Sequence, residues 1–337
     1  AVSEIFWALL RVLSGFSIAG VLVVIESWFS SRATNANRGA LFAVYQIVFY
    51  LSAAGGQLIV NIGDPANFMP FSIAAILLAL ALMPLALTKM EAPVIEQVQR
   101  ISIFTLARES FSGVAGALIC GVMIGGFYAL GPVYATLVGL DVARTSTFMA
   151  SAIVAAMILA WPLGRLCDRF DRRRVMFWIA LVAASAAGGV GVLGAGNAWL
   201  LTLLVGVFTG LSAALYPVAV AITNDRMEST RIVAASATLL LSYGVGSVIG
   251  PVVMEELINL LGPKGLFFGN AGFLLLLALI TSYRISHTED VAVADQEHFV
   301  PAMPEASPVL AEIDPRNSEF HESPEVEEMH EEQRQAS

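Results

Sequence analysis

Charged residues are missing from long stretches of this chain, and no other feature constrains its fold as strongly. No Asp, Glu, Lys or Arg occurs in residues 39–63, 65–88, 110–140 or 175–224. A bilayer core about 30 Å thick is crossed by roughly 20 apolar residues, each rising about 1.5 Å. Each stretch is long enough to cross, and the last is long enough to do so twice, with a turn at Gly194-Ala195-Gly196-Asn197. Hydrocarbon offers the backbone no hydrogen-bond partners, so only helices and closed barrels span it. These runs are continuously apolar rather than alternating, which selects helices. The composition agrees. The chain is 57% hydrophobic and 13% charged, where soluble domains are about 45–50% and about 25%.

The apolar pattern divides into nine helices, at 5–29, 40–61, 68–88, 111–138, 146–167, 174–195, 198–223, 233–260 and 266–283. If the first helix runs inward, the cytoplasmic turns collect Arg32, Arg38, Lys89, Arg100, Arg108, Arg165, Arg169, Arg172, Arg173, Arg174, Arg226 and Arg231, with Arg284 at the exit. The opposite turns hold Arg144 and Lys264. By the positive-inside rule this asymmetry puts the C-terminus in the cytoplasm.

The formal charge of −9 belongs to the end of the chain. Acidic residues crowd 286–337, where Arg316 and Arg334 are the cations and Pro301, Pro304, Pro308, Pro315 and Pro324 interrupt the sequence. Such a segment buries too little surface to offset its ordering entropy, so it is expected to be a disordered acidic tail able to dock a cytoplasmic partner. His287, His298, His321 and His330 all lie there, which leaves no histidine for an intramembrane proton relay. Cys120 and Cys167 make no disulfide framework and no metal-ligand spacing. The sequence has no phosphate loop and no nucleophile elbow, and the clustered nucleophiles of an intramembrane enzyme are missing. An enzyme, a cofactor, a metal and a nucleic-acid partner are therefore not expected.

Internal repetition adds an architecture. Gly15-Phe16-Ser17-Ile18-Ala19 resembles Gly210-Leu211-Ser212-Ala213-Ala214, and aligning Arg38 with Arg231 brings Tyr50 onto Tyr243. The first predicted helix thus pairs with the seventh and the second with the eighth, an offset of six. Parallel six-helix repeats are a known transporter plan. On that plan the chain lacks the first three helices of twelve, and its beginning at Ala1-Val2-Ser3 without Met fits that expectation.

The segment Gly164-Arg165-Leu166-Cys167-Asp168-Arg169-Phe170-Asp171-Arg172-Arg173-Arg174 resembles the cytoplasmic-loop signature of the major facilitator superfamily. It has a glycine, an aspartate four residues on, and then a basic cluster. Asp171 stands where that signature usually has a second glycine. Arg11-Val12-Leu13-Ser14-Gly15 resembles the superfamily's fourth-helix motif. Val23-Val24-Ile25-Glu26-Ser27, Asn37-Arg38-Gly39, Trp161-Pro162-Leu163-Gly164-Arg165, Leu215-Tyr216-Pro217-Val218 and Leu240-Leu241-Ser242-Tyr243-Gly244 look like its YcaD-type branch. The likeness runs from about residue 6 to about residue 283. It implies an all-α polytopic bundle, nine helices of a twelve-helix, two-bundle fold, moving a small solute across a bacterial inner membrane by alternating access. The implied parts are a remnant of the N-terminal bundle at 1–88, a cytoplasmic linker at 89–109, a six-helix C-terminal bundle at 110–285 and the tail at 286–337.

Several residues are candidates for the work. Gly164, Asp168, Arg169, Arg172 and Arg173 could form a cytoplasmic gate, a carboxylate facing arginines across helix ends; they could equally only fix topology. Arg11 sits about 9 Å inside its helix, where a charge costs about 2.5–3.5 kcal/mol. It could meet a substrate anion, serve proton coupling, or snorkel outward. Glu26 could carry a coupled proton if buried, or be a solvated anion beside Arg32. Gln46, Tyr50, Tyr128, Tyr216, Tyr243 and Asn270 are polar or aromatic groups in apolar helices and are candidate solute contacts. Each could also be a packed residue or an interfacial anchor. Glu255 and Glu256 are expected at the surface. Gly244, Gly246, Gly250 and Pro251 would let the eighth predicted helix pack closely or bend. The alternative to a transporter is a transport-incompetent membrane sensor or scaffold that docks partners through its acidic tail. Solute, lipid and a coupling proton are the other expected partners.

Overall fold

The computed structural model describes residues 3–34, 37–62, 67–87, 101–193, 196–228, 231–288, 291–296 and 299–306. Lys89, Arg100, His298, His321, His330, the turn residues 194–195 and the tail beyond 306 lie outside the described residues. Among the described residues ten α-helices run in order: α1 Glu4–Arg32, α2 Arg38–Ile59, α3 Met69–Leu87, α4 Ile103–Glu109, α5 Phe111–Leu137, α6 Val142–Arg169, α7 Arg172–Leu193, α8 Ala198–Asn224, α9 Ile232–Leu261 and α10 Gly265–His287. A single 3-10 turn follows at Val293–Asp295. Eight of the helices are long and apolar enough to cross a membrane, and α3 adds a shorter apolar stretch.

All nine predicted helices are present. The ends differ where side-chain caps decide them. Asp141 accepts the amide of Arg144 at 2.8 Å and starts α6 four residues earlier than its apolar pattern does. Asn197 takes the amides of Trp199 and Leu200 at 3.0 and 3.2 Å to open α8. Asp171, the residue that departs from the loop signature, accepts the amide of Arg174 at 2.8 Å and caps α7. An aspartate there satisfies an orphan helix donor that a glycine could not.

Helix α4 is an addition within the predicted linker. Its Leu106 is fully buried against the bundle. Arg231 at the start of α9 pairs with Glu109 at 3.1 Å, and Thr238 donates to the carbonyl of Ile101 at 2.9 Å. A seven-residue helix is too short for periodicity to reveal, so its amphipathic face passed as loop.

The bundle α5–α10 closes around α5, which packs on α9, α8, α10 and α6. The α5–α9 crossing is the closest. A Cβ on Gly250 would fall 2.1 Å from the carbonyl oxygen of Val122, and one on Gly121 equally close to that of Tyr243. Small residues let the two backbones touch, as the glycine spacing of α9 suggested. One member of that set, Gly244, faces open space. An aromatic knot of Phe127, Tyr134, Phe148, Phe208 and Phe267 ties α5, α6, α8 and α10 together. Its Tyr134–Phe267 centroids lie 4.7 Å apart in an edge-on arrangement, the geometry ring quadrupoles prefer.

Helices α1–α3 share little of this core. They meet the bundle chiefly where α2 runs beside α6.

Candidate functional site

The candidate site lies between α2 on one side and α5, α6, α8 and α9 on the other. At one end the two sides meet directly: Asn61, just beyond α2, donates to Ser146 near the start of α6 at 2.7 Å. α2 and α6 run antiparallel, so their other ends carry the arginine-rich turns. There the sides are bridged by residues 299–306, a segment expected to be solvated. Within an acidic tail, Phe299-Val300-Pro301-Ala302-Met303-Pro304 is an apolar island, and it has surface to bury.

Four of the predicted contact residues converge on the intervening space. Tyr216 of α8 and Tyr243 of α9 stack edge-on with centroids 5.4 Å apart. Tyr50 of α2 and Tyr128 of α5 lie within electrostatic reach of one another, and Tyr128 within reach of Tyr243. Glu305 lies within electrostatic range of all four, as well as of Tyr45 and the buried Cys120. Glu305 itself is exposed near the end of the described segment. The protein packed around it pushes its carboxyl above the usual 4.5, since partial desolvation disfavours the charged form.

Gln46, one turn before Tyr50, donates its amide to the carbonyl of Pro301. Asn270 lies elsewhere. It is fully buried in α10 and returns its amide to Leu266 of its own helix at 2.8 Å. Arg11 sits on an exposed face of α1, which accords with the outward-reaching alternative. Glu26 is fully buried and accepts the hydroxyl of Tyr45 at 2.5 Å. Glu255 and Glu256 are exposed.

The loop signature distributes its charges among several partners. Arg172, 1% exposed, forms an ion pair with Asp225 at the end of α8. Arg173 donates to the carbonyls of Arg284 and Thr288 at 3.5 and 3.2 Å, covering the C-terminus of α10. Cations suit that end of a helix because its last carbonyls lack partners. Arg165 stacks on Trp161 at 3.7 Å, and Arg169 is exposed at the end of α6. Asp168 accepts the amide of Phe299 at 2.7 Å. Gly164 is buried under the Phe299 ring, where an added Cβ would lie 3.1 Å from the ring edge.

Sequence reasoning missed Asp225, Tyr45 and the 299–306 segment. Asp225 had a signal: it is the acid that ends a fifty-residue charge-free run on the arginine-rich side. The island at 299–304 had one too, since its hydropathy breaks an otherwise acidic tail. Tyr45 had none, because nothing in the sequence says which face of α2 meets α1.

Among the described residues no group of three His, Cys, Asp or Glu could hold a metal ion. The sequence profile of the Major Facilitator Superfamily matches residues 1–184 and 114–320. A protein of Escherichia fergusonii named as an uncharacterized MFS-type transporter, YcaD, is 30% identical over 300 residues, covering 84% of this chain and 74% of that protein. Proteins of the same name from Salmonella paratyphi B and Salmonella newport are 31% identical over 293 residues, covering 81% of this chain and 72% of theirs. No solved structure matches the chain significantly.

Proposed function

This chain belongs to the major facilitator superfamily of membrane transporters, and from that premise we propose that it is a secondary active carrier of a small solute, working by alternating access with a coupled proton. One observation carries the reading. Tyrosines from α2, α5, α8 and α9 lie near one another, Tyr216 and Tyr243 edge to face at 5.4 Å, on the side of the bundle where α2 joins α6 through Asn61 and Ser146. Tyrosine offers an apolar ring face and one hydroxyl, which fits a largely apolar pocket with few polar groups. The arrangement corresponds to a carrier whose helices meet directly at one end and are spanned by residues 299–306 at its arginine-rich face. With charge asymmetry setting topology, that face is the cytoplasm, and the bacterial relatives point to a plasma membrane.

Tyr50, Tyr128, Tyr216 and Tyr243 are then the solute contacts, with Gln46 at the rim. Glu26 is the proton carrier: a buried carboxylate in a membrane is costly as an ion and is eased by protonation or by its bond from Tyr45. The arginines of the loop signature brace α7 to α8 and α10, so that these helices swing as one body. Asp168 is the charge left facing the other side.

The test is flux of a solute library into proteoliposomes holding the full chain, with and without an imposed pH gradient. Accumulation of at least one solute that follows the gradient is expected. Tyr243→Ala should lower it, and Glu26→Gln should keep solute exchange while losing the response to pH. Flux that stays flat across the library under both conditions would overturn the reading in favour of a sensor.

A further inference from the structure

The cytoplasmic mouth of the carrier holds a piece of the carrier itself. Residues 299–306 touch both halves of the mouth. On the α6 side, the amide of Phe299 donates to Asp168 at 2.7 Å and the ring covers Gly164. On the α1–α2 side, Gln46 donates to the carbonyl of Pro301. Val300, Met303 and Ala306 are buried with Ala33, which follows α1, and Phe42 of α2. Internal bonds from Ala302 to Val300 at 2.8 Å and from Ala306 to Met303 at 3.2 Å keep the segment compact. Its far end places Glu305 within electrostatic range of the four tyrosines. Where the chain leaves α10, Arg173 donates to the carbonyl of Thr288.

We infer that residues 299–306 are an intramolecular plug that seats between α2 and α6, closes the cytoplasmic entrance to the tyrosine-lined space, and must leave before solute can enter or exit there. The inference rests on the transport reading for what the plug obstructs, but its seating can be measured without any solute. Two features set this contact apart from incidental burial. The segment joins parts that alternating access requires to move against each other, so its departure would be coupled to that motion. It also uses Asp168, the carboxylate of the loop signature, as the acceptor for its first amide. A docked segment that occupies a gate residue competes with whatever that residue binds in the other state.

The experiment places a reporter thiol at Tyr128→Cys in a Cys120→Ser, Cys167→Ser background and follows its reaction with a membrane-impermeant maleimide in inside-out vesicles. Deleting 299–306 should speed labelling by at least about tenfold, the change that a loss of ~1.4 kcal/mol in docking produces. Met303→Asp, which puts a charge against Phe42 while keeping the chain length, should do the same; it carries the test if the deletion variant fails to fold. In the same background with Tyr128 restored, Gly164→Cys with Phe299→Cys should oxidise to a disulfide within one chain. Unchanged labelling in both plug variants would overturn the inference, as would a disulfide that forms between copies or not at all. Transport, measured in the chain with Tyr128 in place, separates the two ideas. Measurable flux with unchanged labelling sinks the plug alone, whereas faster labelling with no flux for any solute sinks the carrier and leaves the docked segment standing.

Discussion

Helices α1 and α5 are nearly the same length and about equally apolar, yet they live in different surroundings. None of the most apolar stretch of α1 is buried, whereas 72% of that of α5 is. The contrast extends to the groups they belong to. Every helix of α5–α10 contributes to one continuous core. α1–α3 keep most of their large side chains exposed, from Phe6 and Phe16 to Leu78 and Met83. Glycine content does not separate the two. Gly15, Gly20, Gly55 and Gly56 would each accept a Cβ with nothing within 4 Å, whereas Gly121 and Gly250 have backbone 2.1 Å away. Hydropathy decides that a helix enters the bilayer, but lipid is as apolar as a leucine core. What orders helices against one another inside is shape and a few polar contacts.

The comparison can be broken or sharpened at four places. The largest effect is expected at Arg172. Replacing it by Ala breaks the buried ion pair with Asp225, which costs about 3–5 kcal/mol. Thermal unfolding in detergent should show the bundle melting early, and Arg172→Met with Asp225→Leu should recover most of the loss. Next comes Gly250→Leu, where the added side chain meets the Val122 backbone. Overpacking of this kind costs about 1–3 kcal/mol. Gly55→Leu should cost nothing measurable in the same assay, and equal losses at both sites would erase the distinction drawn above.

A smaller change is expected within the loosely packed group. Tyr45→Phe removes the hydroxyl that serves Glu26 and should cost about 1 kcal/mol, the scale of interhelical hydrogen bonds in bilayers. It should also shift the pH at which any coupled flux is half-maximal. The smallest effect concerns Glu305, whose carboxyl is held above its ordinary 4.5 in the docked segment. Docking therefore prefers the protonated form. It is strongest below 4.5 and weakens as pH rises from there through the raised value. The groups facing it are Tyr45 and Tyr50 from α2, Tyr128 and Cys120 from α5, Tyr216 from α8 and Tyr243 from α9. Glu305→Gln should flatten this dependence in the labelling assay, with the segment still seated.

Legibility followed the range of the interaction. The nine long helices were readable because each is a local consequence of about twenty uncharged residues meeting hydrocarbon. The tyrosines were readable as candidates, because a polar group in an apolar helix stands out. Their convergence was partly readable through the repeat that sets Tyr50 over Tyr243. The loop signature announced its aspartate and arginines but gave no hint that Arg172 belongs to Asp225, fifty-three positions on, and Asp168 to Phe299. Asn270 shows the opposite limit, since it stands out in sequence and turns inward to its own helix.

The amino-acid order alone determined that this chain is a bundle of membrane-crossing helices, which end carries the positive charge, and which family it resembles. Desolvation and topology act on each segment independently, so they can be summed along a sequence. Tertiary structure alone decided that Glu26 is buried under Tyr45, that Asp171 caps α7, that α4 clips onto the bundle, and that an apolar island in an acidic tail docks between α2 and α6. Each of these depends on which atoms lie opposite one another across a gap of a few ångströms. That is fixed by helix rotation and crossing, and hydropathy is indifferent to both.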